Sequence, residues 1–491
     1  MISDVTRRNF MKAAGTTAGL AVAAGWNPLS YAQNDKVRVA LIGTGSQGRV
    51  HIEDGLCKTP GIEIAAIVDC MKLNLAWGLT TVQKTEGIQY APDIEKHLYY
   101  DYKAMLSTEK DAIDAVIICT PYTTHYQIVM DCLDAGKYVF CEKTMAHTID
   151  ACRNIVTKCH ETGKFVQCGH QRRYNYEYNY ALDQIMKGRL GRVTFIEGQW
   201  HRNGDWRRPL PENYTLNDQE KKFIPDLEKH VNWRIYKDRS AGLMSELATH
   251  HLEEINYFMG SMPERVLATG SIDYWRDGRD TYDNVALTYE YNMGARNIPR
   301  FQTISGSGRN LNMDMMKVNR PYKVKATWSG TLMSAYKGEG ILFVGDKGVF
   351  EMHERRGPGT RGCIFHSEPE KIWFDPATGQ QTTDEAIIRQ IVANGWSQKY
   401  SKTVEHPPAP FDNEIDQELL MRSYDAAQFQ AFAKHIKEGG KPRTNEMCGL
   451  CAAVCDIAGI EAMEKGGVVE IDPAWYTFDF ETPDPFVFEL A

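Results

Sequence analysis

Six consecutive residues, Gly43-Thr44-Gly45-Ser46-Gln47-Gly48, have the types and spacing that let a backbone wrap an anion. In a G-x-G-x-x-G string between a strand and a helix, the first glycine allows the tight turn and the second admits a pyrophosphate against the backbone. The third lets the helix pack on the strand, and the helix N-terminus adds partial positive charge. Asp69 ends the next apolar run about twenty residues later, where a carboxylate accepts hydrogen bonds from an adenosine ribose 2′-hydroxyl and repels a 2′-phosphate. The expected ligand of Gly43, Gly45, Ser46, Gln47, Gly48 and Asp69 is therefore NAD rather than NADP.

A second set of residues suits proton transfer. Glu142 and Lys143 end another apolar run, and Glu246 stands four residues before His250, which on a helix puts both on one face. A carboxylate so placed orients an imidazole or raises its basicity. Oxidation of an alcohol needs a base for the hydroxyl proton, a task that suits a histidine titrating near neutrality. A lysine beside the same oxygen stabilises developing alkoxide. Residue types alone also allow a plainer reading, in which His250 and His251 are helix histidines satisfied by nearby carboxylates. A metal on Glu246, His250 and His251 is not expected, because adjacent helix positions diverge by about 100 degrees.

These residues need elements to hold them. Val37–Ile42, Glu63–Val68, Ala115–Ile118 and Tyr138–Cys141 read as buried strands with helix-length segments between them, and Phe165–Cys168 as one more strand. Thr148 caps a helix whose apolar positions are Ile149, Cys152, Ile155, Val156 and Cys159, with Gly163 at its end. That alternation predicts a doubly wound parallel sheet of the Rossmann kind. From Gly191 the strands are longer and alternate, at 193–200, 265–272, 284–291 and 341–344, predicting a C-terminal α+β domain with an open, mostly antiparallel sheet. Segments 203–230, 292–320 and 354–411 read as insertions or loops, and 423–437 and 448–465 as closing helices. The expected division is a signal over 1–33, a Rossmann domain over 34–165, an α+β substrate and oligomerisation domain over 166–465, and a tail over 466–491.

Beyond the glycine turn the sequence resembles one family. Cys119-Thr120-Pro121, His125, and Ala135-Gly136-Lys137-Tyr138-Val139-Phe140-Cys141-Glu142-Lys143 are similar to the TP...H and AGKHV-EKP segments of the Gfo/Idh/MocA oxidoreductases, with Thr144 in place of the usual proline. The likeness continues through Gln171–Tyr174, Gly188–Gly191 and Ser240–His250. It implies cofactor contacts from Thr120, Pro121, His125, Glu142 and Lys143. It also implies a catalytic set of Lys143, His250 and Glu246, the last standing where the family has a shorter aspartate. Substrate contacts are expected from Arg173, His250, Trp233 and Tyr236, since aromatic faces beside polar groups suit sugar rings.

Composition bounds the partners. The 491 residues are too many for one ordinary core, and 43% hydrophobic with 24% charged residues is an ordinary soluble balance. A net charge of −8 with no basic cluster argues against nucleic acid, and no apolar run of the mature part is long enough to span a bilayer. The exception is the start, where Arg7-Arg8-Asn9-Phe10-Met11-Lys12 precedes a weakly apolar stretch to Trp26, with a cleavage point before Gln33. This reads as a twin-arginine export signal and predicts a periplasmic protein exported already folded around its cofactor. The twelve cysteines mostly end strands or lie on apolar helix faces, so reduced, buried thiols are expected, including Cys448, Cys451 and Cys455. The functional expectation is NAD-dependent oxidation or reduction of a sugar or glycoside hydroxyl by a homo-oligomer. Two alternatives stand beside it. One is an NAD-dependent glycosidase that oxidises, eliminates and re-reduces, although the sequence lacks that branch's histidine-glycine-rich segment. The other is a non-catalytic carbohydrate-binding protein, against which Lys143 and His250 count.

Overall fold

Valine, isoleucine, leucine and alanine dominate β1 (Val37–Ile42), so both its faces seek burial. The computed structural model describes residues 36–293, 322–355, 362–395, 399–405, 409–410 and 423–487. The expected export signal and nearly all of the 292–320 insertion lie outside those residues. β1 is central to a six-stranded parallel sheet with β2 (Ile62–Val68), β3 (Leu98–Tyr99), β4 (Ala115–Ile118), β5 (Tyr138–Cys141) and β6 (Val166–Cys168), in the order β3-β2-β1-β4-β5-β6. Val37, Val39 and Leu41 feed one apolar layer, Ala40 and Ile42 the other, as the alternation of a strand requires. The sheet thus extends three residues past the expected boundary at 165.

The chain order reverses between β1 and β4, which opens a crevice at the C-terminal ends of those strands. Short helix α1 (Ser46–Val50) leaves the glycine turn, α2 (Lys72–Lys84) follows β2, α3 (His125–Asp134) follows β4, and α4 (Ile149–Thr162) follows β5. Thr148 caps α4 through Ala151 N, and Gly163 ends it at φ 67°.

The second sheet has nine strands. They are β7 (Val193–His201), β8 (Arg265–Ser271), β9 (Asn284–Met293), β10 (Tyr322–Thr331), β11 (Glu339–Gly345), β12 (Gly348–Arg355) and β13 (Gly362–Ser367), with short edge strands at 409–410 and Val468–Glu470. Every pairing is antiparallel except β7 with β10. Val285, Leu287, Tyr289, Tyr291 and Met293 of β9 point inward and are buried, leaving the alternate residues on the other face. The inward face receives α5 (Thr249–Met259) and the long helix α7 (Glu446–Lys465). Segment 466–491, expected as a tail, supplies the edge strand 468–470 through its pairing with β8. β10 was not among the expected strands, and part of 354–411 forms a small sheet of 370–374, 381–382 and 401–404 with a helix at 385–393.

Two helices join the domains. The helix α6 (Tyr424–Glu438) returns to the parallel sheet and buries Phe429 and Phe432 against Phe140 and Phe165. α7 lies between α4 and β6 on one side and α5 and β8 on the other. Small residues permit that fit, since a Cβ on Gly449 would stand 2.1 Å from Cys168 Sγ. All twelve cysteines are unpaired thiols, nine of them buried. Among the described residues no helix is long and apolar enough to cross a membrane.

Candidate functional site

The glycine turn divides its three glycines by task. Gly43 has φ 94°, and a Cβ there would stand 2.8 Å from the Cys119 backbone, so the loops after β1 and β4 touch. A Cβ on Gly48 would meet Gly43 O at 2.1 Å, which sets how closely helix approaches strand. Gly45 faces open space, with nothing within 4 Å of a Cβ. The turn is therefore closed by two glycines and open at the third, the shape a pyrophosphate needs.

Cations surround the opening. Arg49 donates to Gly45 O at 3.3 Å while its guanidinium lies 4.8 Å from the Trp77 ring centre. Arg208 comes from the 203–230 insertion, its backbone pinned on both sides by Asn232 at 2.7 and 3.2 Å. Burial, and then the charges of Arg234 and Arg49, lower the Arg208 pKa, with Glu246 opposing. Three guanidinium groups thus share a neighbourhood with that carboxylate, an arrangement that calls for an anion. Asp69 is more constrained than its position suggests. One carboxylate oxygen accepts from Thr44 N at 2.9 Å, the other from Met71 N at 2.9 Å and Asn74 Nδ2 at 3.2 Å. It ties the glycine turn to the loop after β2, and 8% of the residue remains exposed.

The β5 end is anchored from beneath. One Glu142 oxygen contacts His51 Nε2 at 2.7 Å and the other accepts from Lys143 N at 3.1 Å. Burial alone would raise the Glu142 pKa, but His51 and Lys143 outweigh it and hold the carboxyl below its usual range. Burial likewise works against a charged His51, yet its contacts with Cys119 and Glu142 carry its pKa well upward. Glu142 and His51 therefore form a buried pair that positions Lys143. His125 is fully buried, its ring nitrogens 2.8 Å from Thr120 O and 2.9 Å from Thr144 O. It clamps the Thr120-Pro121 loop to the Lys143-Thr144 peptide from inside the protein. The expectation that it touches cofactor gives way to that positioning role.

Lys143 and His250 converge across the crevice. Lys143 Nζ donates to the carbonyl oxygens of Ser245 and Glu246 at 3.2 and 3.1 Å. Those carbonyls belong to a π-helical turn, Met244–Ala248, immediately before α5. His250, in the first turn of α5, packs against Trp200 with ring centres 5.8 Å apart and against His170 at 6.5 Å. Burial, followed by the charges of Lys143, Arg172, His170 and His251, depresses the His250 pKa well below 6.5, so its imidazole is neutral. Glu246 does not engage it. Its carboxylate accepts from Arg234 Nε at 2.9 Å, because the wider π turn breaks the four-residue phasing on which the expected contact relied.

The remaining expected residues divide. Arg173 is 2% exposed, ion-paired with Glu253 and donating to Arg443 O at 3.1 Å, so it braces the core and lies out of a substrate's reach. The short 3₁₀ turn Gln171–Tyr174 sends it inward. Trp233 and Tyr236 are half-buried at the exit of the insertion, with Arg234 and Lys229 over their rings at 4.3 and 5.2 Å. Ser46 and Gln47 open α1 beside the cradle.

Three further residues belong to the site. His170, just after β6, is 2% exposed with neither ring nitrogen hydrogen-bonded, and burial plus nearby cations hold its pKa down at about 3. Asp456 of α7 accepts from Thr144 Oγ1 at 2.9 Å, and burial raises its pKa to about 7 against the pull of Lys143. Arg202 places its guanidinium 5.1 Å from the Trp200 ring centre. Glycine spacing and strand ends made the turn visible in the sequence. His170 and Asp456 gave no local signal, because each meets the site through a partner distant in sequence.

Two family models match nearly all of the described chain. An oxidoreductase-family NAD-binding Rossmann fold matches residues 37–170, and the same family's C-terminal alpha/beta domain matches residues 183–471. The chain belongs to the Gfo/Idh/MocA oxidoreductase family. An inositol 2-dehydrogenase of Rubrobacter xylanophilus is 30% identical over 173 residues, which cover 35% of this chain and 46% of that one. A glycosyl hydrolase family 109 protein of Shewanella baltica is 30% identical over 236 residues, 42% of this chain and 50% of that one. The chain thus spans about half the length of the curated relatives it matches. Among solved structures, the aldose-aldose oxidoreductase of Caulobacter crescentus aligns at TM-score 0.58 and 18% identity, over 89% of this chain and all but 1% of the other. The WlbA dehydrogenase of Bordetella pertussis, in complex with NADH and UDP-GlcNAcA, aligns at 0.57 and 15%, over 90% and 99%. At such identities the structural likeness is one of Gfo/Idh/MocA fold, and the crevice described above is this chain's own.

Proposed function

We propose that the chain is an NAD-dependent oxidoreductase that moves hydride between a sugar or glycoside hydroxyl and a tightly held dinucleotide. The observation that carries this reading is the convergence of the Lys143 ammonium and a neutral, buried His250 at the edge of the crevice that the Gly45 cradle opens. The open cradle, the α1 N-terminus, Arg49 and Arg208 fit the pyrophosphate, and the loops after β4 and β5 fit the nicotinamide half. When bound, the nicotinamide supplies the hydride acceptor. His250 accepts the hydroxyl proton as the carbon–hydrogen bond yields its electron pair, and Lys143, fixed by two carbonyls, steadies the negative oxygen. In the reverse direction His250 returns the proton. His170 packs against the His250 ring from the buried side. The substrate-side expectation for Arg173 passes to Trp200 and Arg202, which line the His250 side.

The similarity to family 109 glycosyl hydrolase proteins supports a second reading, a redox-neutral glycosidase using the same base and cation. Twin-arginine export is part of the proposal, because a cofactor carried out with the folded chain has to be retained. So is homo-oligomerisation through the outward face of the nine-stranded sheet, where Leu267 and Val468 are exposed. Incubation with a panel of glycosides followed by product mass separates the readings. The proposal predicts loss of two hydrogens; release of a free sugar without net oxidation would establish the glycosidase instead.

A further inference from the structure

The 203–230 insertion leaves β7 in the second domain and reaches the first residue of α2, just past the end of β2. There Glu220, 1% exposed, accepts from Lys72 N at 2.8 Å with one carboxylate oxygen and from Asn217 N at 2.8 Å with the other, while Tyr214 donates its hydroxyl to the first. Asn217 closes the loop on itself, accepting from Gln219 N at 2.9 Å and Glu220 N at 3.0 Å, and extends its amide to Tyr100 of the parallel-sheet domain at 3.4 Å. Lys72 is the first residue of α2, three residues after Asp69. A ribose 2′-oxygen is met at the end of β2, so a phosphate on that oxygen projects onto the following loop and the first turn of α2, whose free N–H groups would ordinarily hold it. Here that anion position is taken. Burial would discharge Glu220, but its hydrogen bonds outweigh burial and keep the carboxyl below its usual range.

Resting on the dinucleotide reading above, we infer that Glu220 is a specificity-determining residue. The insertion carries its carboxylate across the domain boundary to occupy the 2′-phosphate position, which restricts the chain to NAD. Asp69 holds the glycine turn to the loop after β2, while Glu220 stands at the first N–H of α2. A 2′-phosphate would lose the Lys72 N–H and lie against a fixed, buried carboxylate.

The test is a pair of equilibrium titrations of the full protein with NADH and NADPH, followed by nicotinamide fluorescence. They are made on the wild type and on Glu220→Gln, which keeps the shape and removes the charge. The wild type should bind NADH at least ~100-fold more tightly, and the variant should narrow that ratio at least ~10-fold through gained NADPH affinity. ADP-ribose and its 2′-phosphate, compared as competitors on the wild type, give the same discrimination without any variant. Equal binding of both dinucleotides by the wild type, or an unchanged ratio in Glu220→Gln, overturns the inference while leaving a dinucleotide enzyme intact. Failure of the folded wild type to bind either one overturns the dinucleotide reading and this inference with it.

Discussion

Lys143 and His250 carry the proposed chemistry, and each has a distinct expected failure. Lys143→Met removes the cation, and His250→Ala removes the base; each should lower kcat by about 10²–10⁴ with dinucleotide affinity kept within a few-fold, as steady-state kinetics and fluorescence titration would measure. A depressed imidazole pKa means that the base form prevails above that value, so kcat/KM should stay level through pH 6.5 and fall only below it. A midpoint at or above 6.5 that disappears in His250→Ala would contradict the depressed pKa while keeping His250 as the base; unchanged kcat in His250→Ala would contradict the assignment. Asp456 titrates with the opposite sign. Its carboxyl is held at about 7 against 3.8 ordinarily, so the native state binds the proton more strongly and this contribution to stability declines as pH rises from 4 to 7. Melting temperatures across that range should therefore vary less in Asp456→Asn than in the wild type. Lys143 and His250 were legible because each stands inside a run of residues with a recognisable order. His51, His170 and Asp456 were not, because what makes a buried polar group functional is the partner it meets, and theirs arrive from other elements.

At the scale of elements, Gly45 and Gly48 make separable predictions. Gly45 has φ −64° and open space around it, so Gly45→Ala should leave the melting temperature nearly unchanged while its methyl obstructs the pyrophosphate and weakens NAD binding. Gly48→Ala should instead disturb the turn itself, because its Cβ would meet Gly43 O. Loss of stability in Gly45→Ala equal to that in Gly48→Ala, followed by thermal melts, would show that the cradle is not open as described. The parallel strands were readable because β1, β4 and β5 are continuous apolar runs, and α4 because its cap and periodicity agree. The π turn at 244–248 was not, since residue types do not mark a change from four-residue to five-residue hydrogen bonding, and the expected Glu246–His250 contact failed there. β10 was not expected although Val324, Ala326 and Trp328 alternate inward, with Lys325 and Thr327 between them.

The whole molecule depends on segments that return across the domain boundary. α6 completes the parallel-sheet core from 424–438, so Phe429→Ala, emptying a fully buried site against Phe140, should cost about 3–5 kcal/mol and loosen the dinucleotide domain. Chemical denaturation monitored by Trp fluorescence measures that loss. Sequence periodicity identified this helix but not the sheet it covers, which only the chain's long-range path decides. The insertion bearing Arg208 and Glu220 is the same kind of element, a segment whose meaning lies in where it lands. The proposed chemistry requires a dinucleotide seated on the turn at Gly43. Native mass spectrometry of the wild type and Gly45→Ala, each with added NAD, tests this most directly. The predicted result is one NAD per wild-type chain and a much lower occupancy in the folded variant; a wild-type chain that stays free of NAD, or a variant that holds it equally well, would contradict it.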